Sequence, residues 1–350
     1  MLRRALIVKF GAIGDVVMAL PAARALHDKG LQIDWVCGSA VYSLLECYSW
    51  LNLIPVNDRA VFSGTTSERV KAICDLWRRV AGRRYEICAT LYYDQRYKIL
   101  TLPVRARRKL MLSRDSRDNL LVSGRSYADE YARVLLERED TCNSVSLSPV
   151  RPDRLRQASP LPEKTRKRIA LIPAGASNML RQQTLRRWPV ENYVAVAKEM
   201  LAREWEVVLI GGPDDVWVTP FFGELGVMDR VGSFTLPQVI VACDECDAVI
   251  SHDTGPLHLA GLSHAAIVGL FGPTDPSNFL PRREYVTGIW GGVNFACRPC
   301  YDGRNFAPCK HNGCMYQVTP EIVLREVDSL LERKALGLAS PPRIVLPSNE

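Results

Sequence analysis

Short apolar runs alternate along the chain with amphipathic stretches. "ALIVKF" (residues 5–10) reads as a buried strand, and Val16, Val17, Leu20, Ala23 and Leu26 then recur at helical spacing over residues 15–29. "QIDWVC" (32–37) is the next strand, "VYSLLECY" (41–48) the next helix and "EICATLYY" (86–93) a third strand. Strand–helix–strand order at this spacing predicts a parallel sheet wrapped by helices. The stretch 143–168 is rich in Ser, Pro and charge, has little periodicity and reads as a linker. The alternation then restarts, with strands at 168–174, 206–212, 247–253 and 265–272. A helix at 189–201 carries Pro189 in its first turn, and a last helix lies near 319–334. The tail "LASPPRIVLPSNE" has no such pattern and reads as frayed.

Two α/β units joined by a linker fit a chain of 350 residues, which is more than one core usually serves. The expected boundaries are a first domain at 1–150, a linker at 151–167, a second domain at 168–335 and a tail at 336–350. Two doubly wound domains are expected to face each other across a cleft where the carboxyl ends of both sheets converge. An apolar fraction of 47% and a charged fraction of 24% exclude disorder over most of the chain. No stretch reaches the 18 or so uncharged apolar residues of a transmembrane helix. "MLRR" and the apolar run after it imitate a signal peptide, but Lys9 and Asp15 interrupt the run, so the protein is expected in the cytoplasm. An odd count of eleven cysteines argues for reduced thiols. Cys37, Cys47, Cys74 and Cys88 lie in apolar segments and read as core residues. The net charge of +7 is concentrated at 78–84, 105–109 and 164–168. Such clusters fit solvated helix faces and a linker, or contacts with a phosphorylated substrate, an anionic membrane surface or nucleic acid.

Four stretches carry candidate chemistry. In "KFGAIGDVVMALP" (9–21), Gly11 and Gly14 allow a tight strand-to-helix turn, and Asp15 follows at the helix start, where the dipole favours its ionised form. It reads either as an ordinary helix-start aspartate or as a general base at the cleft edge. In "VISHDTGPLHLAG" (249–261) a helix starts near Thr254 or Gly255, capped by Asp253 or Thr254. Its free N–H groups offer an anion site, with His258 one turn in as a further donor, or the stretch is a well-capped helix with a surface histidine. "PAGASNMLRQQTLRRWP" (173–189) is a strand-to-helix loop holding Ser177, Arg186 and Arg187, whose arginine forks suit a diphosphate. "CRPCYDGRNFAPCKHNGC" (297–314) spaces Cys297, Cys300, Cys309 and Cys314 as C-x2-C-x8-C-x4-C. That set reads as a structural zinc or iron site without an open position, or as a reduced cysteine-rich loop. Cys243 and Cys246 share a helical pattern and read as a core and a surface thiol.

Together these motifs resemble glycosyltransferase family 9, the ADP-heptose:lipopolysaccharide heptosyltransferases. The resemblance rests on "KFGAIGDVVMALPAARAL", "PAGAS…LRRWP", "VVLIGGPDD", "DTGPLHLAG" and "GLFGPTDP", in this order and spacing. It implies a GT-B fold of two Rossmann-like domains, the acceptor on the first and the nucleotide sugar mainly on the second. It implies inverting transfer of heptose from ADP-L-glycero-D-manno-heptose to a lipopolysaccharide core hydroxyl, with no catalytic cofactor, at the inner face of the inner membrane. Asp15 then falls on the catalytic base, Gly14 in its turn, and Arg186 where a lysine commonly meets the diphosphate. Ser177 falls in a phosphate-contacting loop, and Asp253, Thr254, Gly255 and His258 on the motif that holds phosphates and donor sugar. The acceptor is a phosphorylated glycolipid, and Arg96 with the clusters at 78–84 and 105–109 would meet its anionic groups. Rival readings are a GT-B enzyme with another donor or acceptor, including a nucleotide-sugar epimerase, and a metal-containing nucleic-acid-binding protein. An epimerase needs more acid and histidine groups around one sugar than the five histidines supply, and no nucleic-acid-binding signature is present.

Overall fold

The structure, a computed structural model, describes residues 3–112, 124–137, 148–155, 159–178, 181–303 and 305–347. Contacts divide the chain into two compact units, Met1–Arg117 with Tyr127–Leu155, and Asp118–Ser126 with Arg156–Glu350.

The first unit runs β1 (Arg4–Val8), α1 (Ile13–Asp28), β2 (Gln32–Cys37), α2 (Ser39–Leu45), β3 (Leu51–Pro55), α3 (Asp58–Ser63), α4 (Thr66–Val80), β4 (Arg84–Thr90), β5 (Arg105–Met111) and α5 (Tyr127–Leu135). Its described strands form a parallel sheet in the order β3-β2-β1-β4-β5. Ala5 pairs with both Ile33 and Ile87, so β1 is central and its side chains are buried on both faces. Helix α1 is buried along most of its length and packs on α5. From β1 the chain builds outward to β3 and then jumps back to β4. The switch point of this sheet therefore lies between the carboxyl ends of β1 and β4, where open α/β sheets bind ligands.

The second unit runs β6 (Arg168–Ile172), β7 (Ser177–Asn178), β8 (Arg181–Gln182), α6 (Val190–Ala202), β9 (Glu206–Leu209), β10 (Met228–Asp229), α7 (Leu236–Asp244), β11 (Ala248–His252), α8 (Gly255–Ala260), β12 (Ala266–Phe271), α9 (Pro276–Phe279), β13 (Val286–Trp290), α10 (Gly313–Tyr316), α11 (Pro320–Ala335) and β14 (Arg343–Val345). Its main sheet has the order β10-β9-β6-β11-β12-β13-β14, all parallel, and β7 and β8 form a small hairpin. The core is the apolar face of this sheet under α6 and α11, with Trp188 and Tyr193 buried in it. The reversal here falls between β6 and β11.

Several local expectations are corrected. β4 stops at Thr90 instead of continuing through Tyr93, because Tyr92 turns its hydroxyl onto the chain after β1. Residues 105–109 belong to an edge strand, neither a helix face nor a linker. An edge strand pairs on one side only and tolerates charge. Pro189 is the N-cap of α6 and precedes its first turn. The tail is not frayed over 343–345: β14 pairs with β13, Tyr285 N–H donates to Ser340 O at 2.8 Å, and Arg343 reaches Glu326 on α11. Residues 348–350 lie outside the described residues. Cys246 is buried like Cys243, and Cys74 is only half-buried. The start of the expected linker is fastened to the first unit, since the Tyr48 hydroxyl donates to Val150 O at 2.8 Å and Ser49 N–H to Asp153 at 2.8 Å.

Candidate active site

At the first switch point the segment after β1 is held from three sides. Lys9 N–H donates to Val36 O at 3.1 Å, and the Trp35 indole donates to Lys9 O at 3.0 Å. Phe10 N–H donates to the Tyr92 hydroxyl at 2.8 Å, and that hydroxyl donates to Gly11 O at 3.2 Å. Gly14 is buried in the first turn of α1, so no side chain stands between the turn and its surroundings. Asp15, the third residue of α1, keeps its side chain 31% exposed and forms an ion pair with the buried Lys9 ammonium at 3.0 Å. The helix has no side-chain cap, which leaves Asp15 as the acidic group of its first turn. The sequence reading noted Lys9 only as a break in an apolar run. Its pairing follows from one residue ending a strand and the other opening the next helix.

At the second switch point the loop after β6 meets the end of β11. Gly175 has φ +92°, open to glycine at little cost, and a Cβ there would stand 3.5 Å from the Thr254 side chain. Gly175 N–H donates to Asp215 at 3.0 Å, and Arg187 donates to Gly175 O at 2.9 Å while lying over the Trp217 ring at 4.9 Å. Burial lowers the Arg187 guanidinium below its ordinary value, against the opposing pull of Asp215. Arg186 ends a 3-10 turn at Thr184–Arg186 and pairs with the buried Asp253 at 3.2 Å. Its Nε is buried without a partner among the described residues. This places Arg186, Asp253, Thr254 and Gly255 together. The expected side-chain cap of α8 is not made: Thr254 is the N-cap, but its hydroxyl donates back to His252 O at 3.3 Å, and Asp253 is engaged with Arg186. His258 is buried in α8 rather than on the surface. The Ser177 backbone pairs with Gln182 across the β7–β8 hairpin, and its side chain lies outside what is described.

Residues that the motif reading missed include Asp215, Trp217 and His252. The His252 ring accepts from or donates to the Tyr193 hydroxyl at 3.1 Å, and that hydroxyl accepts from His252 N–H at 3.2 Å. Full burial pushes the imidazole down to about 3, with Arg186 and Arg187 adding to the effect. Its place as the last residue of a strand that ends at a switch point was the available signal.

Cys297, Cys300, Cys309 and Cys314 line one cavity of about 300 Å³ together with Leu185 and Asn312. Burial raises the Cys314 thiol to about 11, and the other three thiols each affect it. Among the described residues, no group of three or more His, Cys, Asp or Glu side chains stands close enough to hold a metal ion. The donor set still suits a tetrahedral metal. The segment touches the loop after β6, since the Asn312 amide donates to Arg187 O at 3.3 Å. Arg96, expected as an anion contact, pairs with Asp94 at 2.6 Å and keeps its side chain 90% exposed.

The family model for glycosyltransferase family 9 (heptosyltransferase) matches residues 81–311. The chain belongs to glycosyltransferase family 9. It is 27% identical to lipopolysaccharide heptosyltransferase 1 of Pseudomonas aeruginosa over 91% of this chain and 89% of that protein. It is 24% identical to lipooligosaccharide heptosyltransferase 2 of Campylobacter jejuni, but the match covers 51% of this chain and spans only 56% of that relative's length. Among solved structures, a family 9 glycosyltransferase from Veillonella parvula superimposes with a TM-score of 0.74 at 19% identity, covering 95% of this chain and 97% of that one. The ADP-heptose heptosyltransferase II of Escherichia coli gives a TM-score of 0.69 at 17% identity, covering 95% and 99%. These likenesses give the GT-B fold. The iron-containing dodecameric glycosyltransferase TibC of E. coli is more distant, with a TM-score of 0.59 at 12% identity over 95% of this chain and 77% of that one. Among the described residues no helix is long and apolar enough to cross a membrane.

Proposed function

We propose that this glycosyltransferase moves heptose, with inversion, from ADP-L-glycero-D-manno-heptose to a hydroxyl of a lipopolysaccharide core acceptor. The observation that carries this reading is the pairing of chemistry with topology. One switch point presents a solvent-accessible carboxylate, Asp15, and the other an arginine with glycine-lined backbone, Arg186 with Gly175, Thr254 and Gly255. Asp15 would repel a diphosphate but suits a hydroxyl that must lose a proton. In this reading Asp15 takes the acceptor proton as the oxygen bonds to the anomeric carbon from the face opposite ADP. The bond from that carbon to the phosphate oxygen breaks, and its electron pair leaves with ADP. Arg186 and the N–H groups of Thr254 and Gly255 stabilise the charge that develops there, with His258 and the Ser177 loop as further donor-site groups. Family membership and the name of the E. coli heptosyltransferase support ADP-heptose as donor.

The acceptor, as a phosphorylated glycolipid, brings the protein peripherally to the anionic inner face of the inner membrane. No cofactor takes part in the chemistry. The four cysteines share one cavity and are read as the ligands of one structural zinc or iron, around which they would draw closer than they stand here. The deciding experiment compares nucleotides and a single variant. ADP is expected to raise the melting temperature more than UDP or GDP does. Asp15→Asn is expected to keep that ADP shift while losing transfer 10²- to 10⁴-fold, the range typical of a general base. Equal shifts for the three nucleotides, or full transfer by Asp15→Asn, would sink the reading.

A further inference from the structure

We propose that Lys9 is a positioning residue that fixes the Asp15 carboxylate for proton removal; this rests on the reading of Asp15 as the base. A lysine is almost never buried without a reason, because desolvating an ammonium is costly unless it is paired. Lys9 is only 4% exposed, at the end of the central strand β1, where an apolar side chain would fill the space at lower cost. Its amine is placed by several contacts at once. It pairs with Asp15 Oδ2 at 3.0 Å and donates to Leu91 O at 3.3 Å. It lies 4.3 Å from the centre of the Tyr92 ring and 5.4 Å from that of Tyr131. The two rings replace part of the water that the cation has lost. These partners come from α1, from the segment after β4 and from α5, so the ammonium is tied to the sheet's switch point and cannot drift with one side chain.

The pair leaves the carboxylate asymmetric. Oδ2 faces the ammonium, while Oδ1 has no protein partner among the described residues and the side chain remains 31% exposed. One oxygen is held and the other is free to accept a proton, which is what a base fixed to about half an ångström requires. Lys9 keeps its own proton throughout; the acceptor's proton goes to Oδ1 and the bond changes at the sugar are those given above.

The readouts separate positioning from mere folding. Lys9→Met is expected to lower kcat at least tenfold at pH 7 while the KM for donor and the thermal shift with ADP stay unchanged. In an Asp15→Asn background the added Lys9→Met is expected to cost nothing more in kcat. If Lys9→Met does not fold, Lys9→Arg carries the test. It keeps the cation but displaces it, so kcat falls at least fivefold while the KM for donor and the thermal shift with ADP stay unchanged. A wild-type kcat in Lys9→Met or in Lys9→Arg overturns the positioning role and leaves the base untouched. Transfer that survives Asp15→Asn overturns the base, and the role of Lys9 with it.

Discussion

Asp15 and Asp253 are the same chemical group in opposite settings. Asp15 shares one oxygen with a lysine and shows the other to solvent, whereas Asp253 is 1% exposed and its carboxylate faces Arg186. A group so enclosed is poorly placed to exchange protons with a substrate; it holds the guanidinium in position. His252, its neighbour in sequence, gives a prediction at this scale. Burial holds the ring neutral and pushes it down to about 3, while an unfolded histidine titrates near 6.5. The unfolded chain therefore binds the extra proton first as pH falls. The stabilising contribution is complete above pH 6.5 and is lost progressively between there and about 3. Denaturant melts at pH 6.5 and pH 5 are expected to show wild type losing about 2 kcal/mol more than His252→Gln over that interval. Parallel losses in both proteins would show that the ring is not the titrating group.

The elements were legible in the sequence to different degrees, for physical reasons. Central strands such as β2 and β12 are buried on both faces and read directly as apolar runs. The candidate site residues stood out as well, because glycines and charges cluster where such strands end. β5 was not legible: "RARRKLM" has no apolar alternation, since an edge strand is fixed by pairing with β4 and not by a buried face. β14 was hidden because three residues gain their order from β13 and α11. The pairs Lys9–Asp15 and Arg186–Asp253 depend on how strand ends and turns meet, which spacing alone does not give. The cysteine segment 297–314 is the element whose role can be tested most directly. It lines its cavity with Leu185 and binds Arg187 O through Asn312, so what stiffens it also stiffens the loop proposed to meet the diphosphate. Metal analysis of purified protein is expected to find about one zinc or iron per chain. Removing it with a chelator, or by Cys297→Ser with Cys300→Ser, is expected to lower the melting temperature and weaken ADP binding together. A metal-free protein that melts as before and binds ADP as before would retire the metal.

At the scale of the whole molecule the excess charge is unevenly spread. Lysine and arginine outnumber acids by only seven in 350 residues, yet residues 96–109 hold six of the cations and no acid. Arg96 is spent on Asp94, and Arg108 pairs with Glu137. Lys98 and Arg105 have no ion pair among the described residues, Arg107 acts on the Glu86 carboxylate, and two apolar side chains of the same stretch are exposed, Ile99 at 48% and Leu102 at 66%. Lys109 donates to Thr101 O at 3.1 Å and so ties the end of β5 to the turn that carries Ile99. Near an anionic bilayer each cation contributes about 1 kcal/mol, and the effect fades within a Debye length of about 10 Å at 0.1 M salt. Cations and exposed apolar side chains of this kind would give a weak, reversible attachment, as the proposed glycolipid acceptor calls for. The protein is therefore expected to sediment with vesicles containing phosphatidylglycerol at low salt and to be released as salt rises. Vesicles of phosphatidylcholine alone should bind it poorly. Arg105→Glu with Arg107→Glu should abolish binding to the anionic vesicles while the thermal shift with ADP is unchanged. Binding that ignores salt and lipid charge would mean that the basic edge of this sheet faces something other than a membrane.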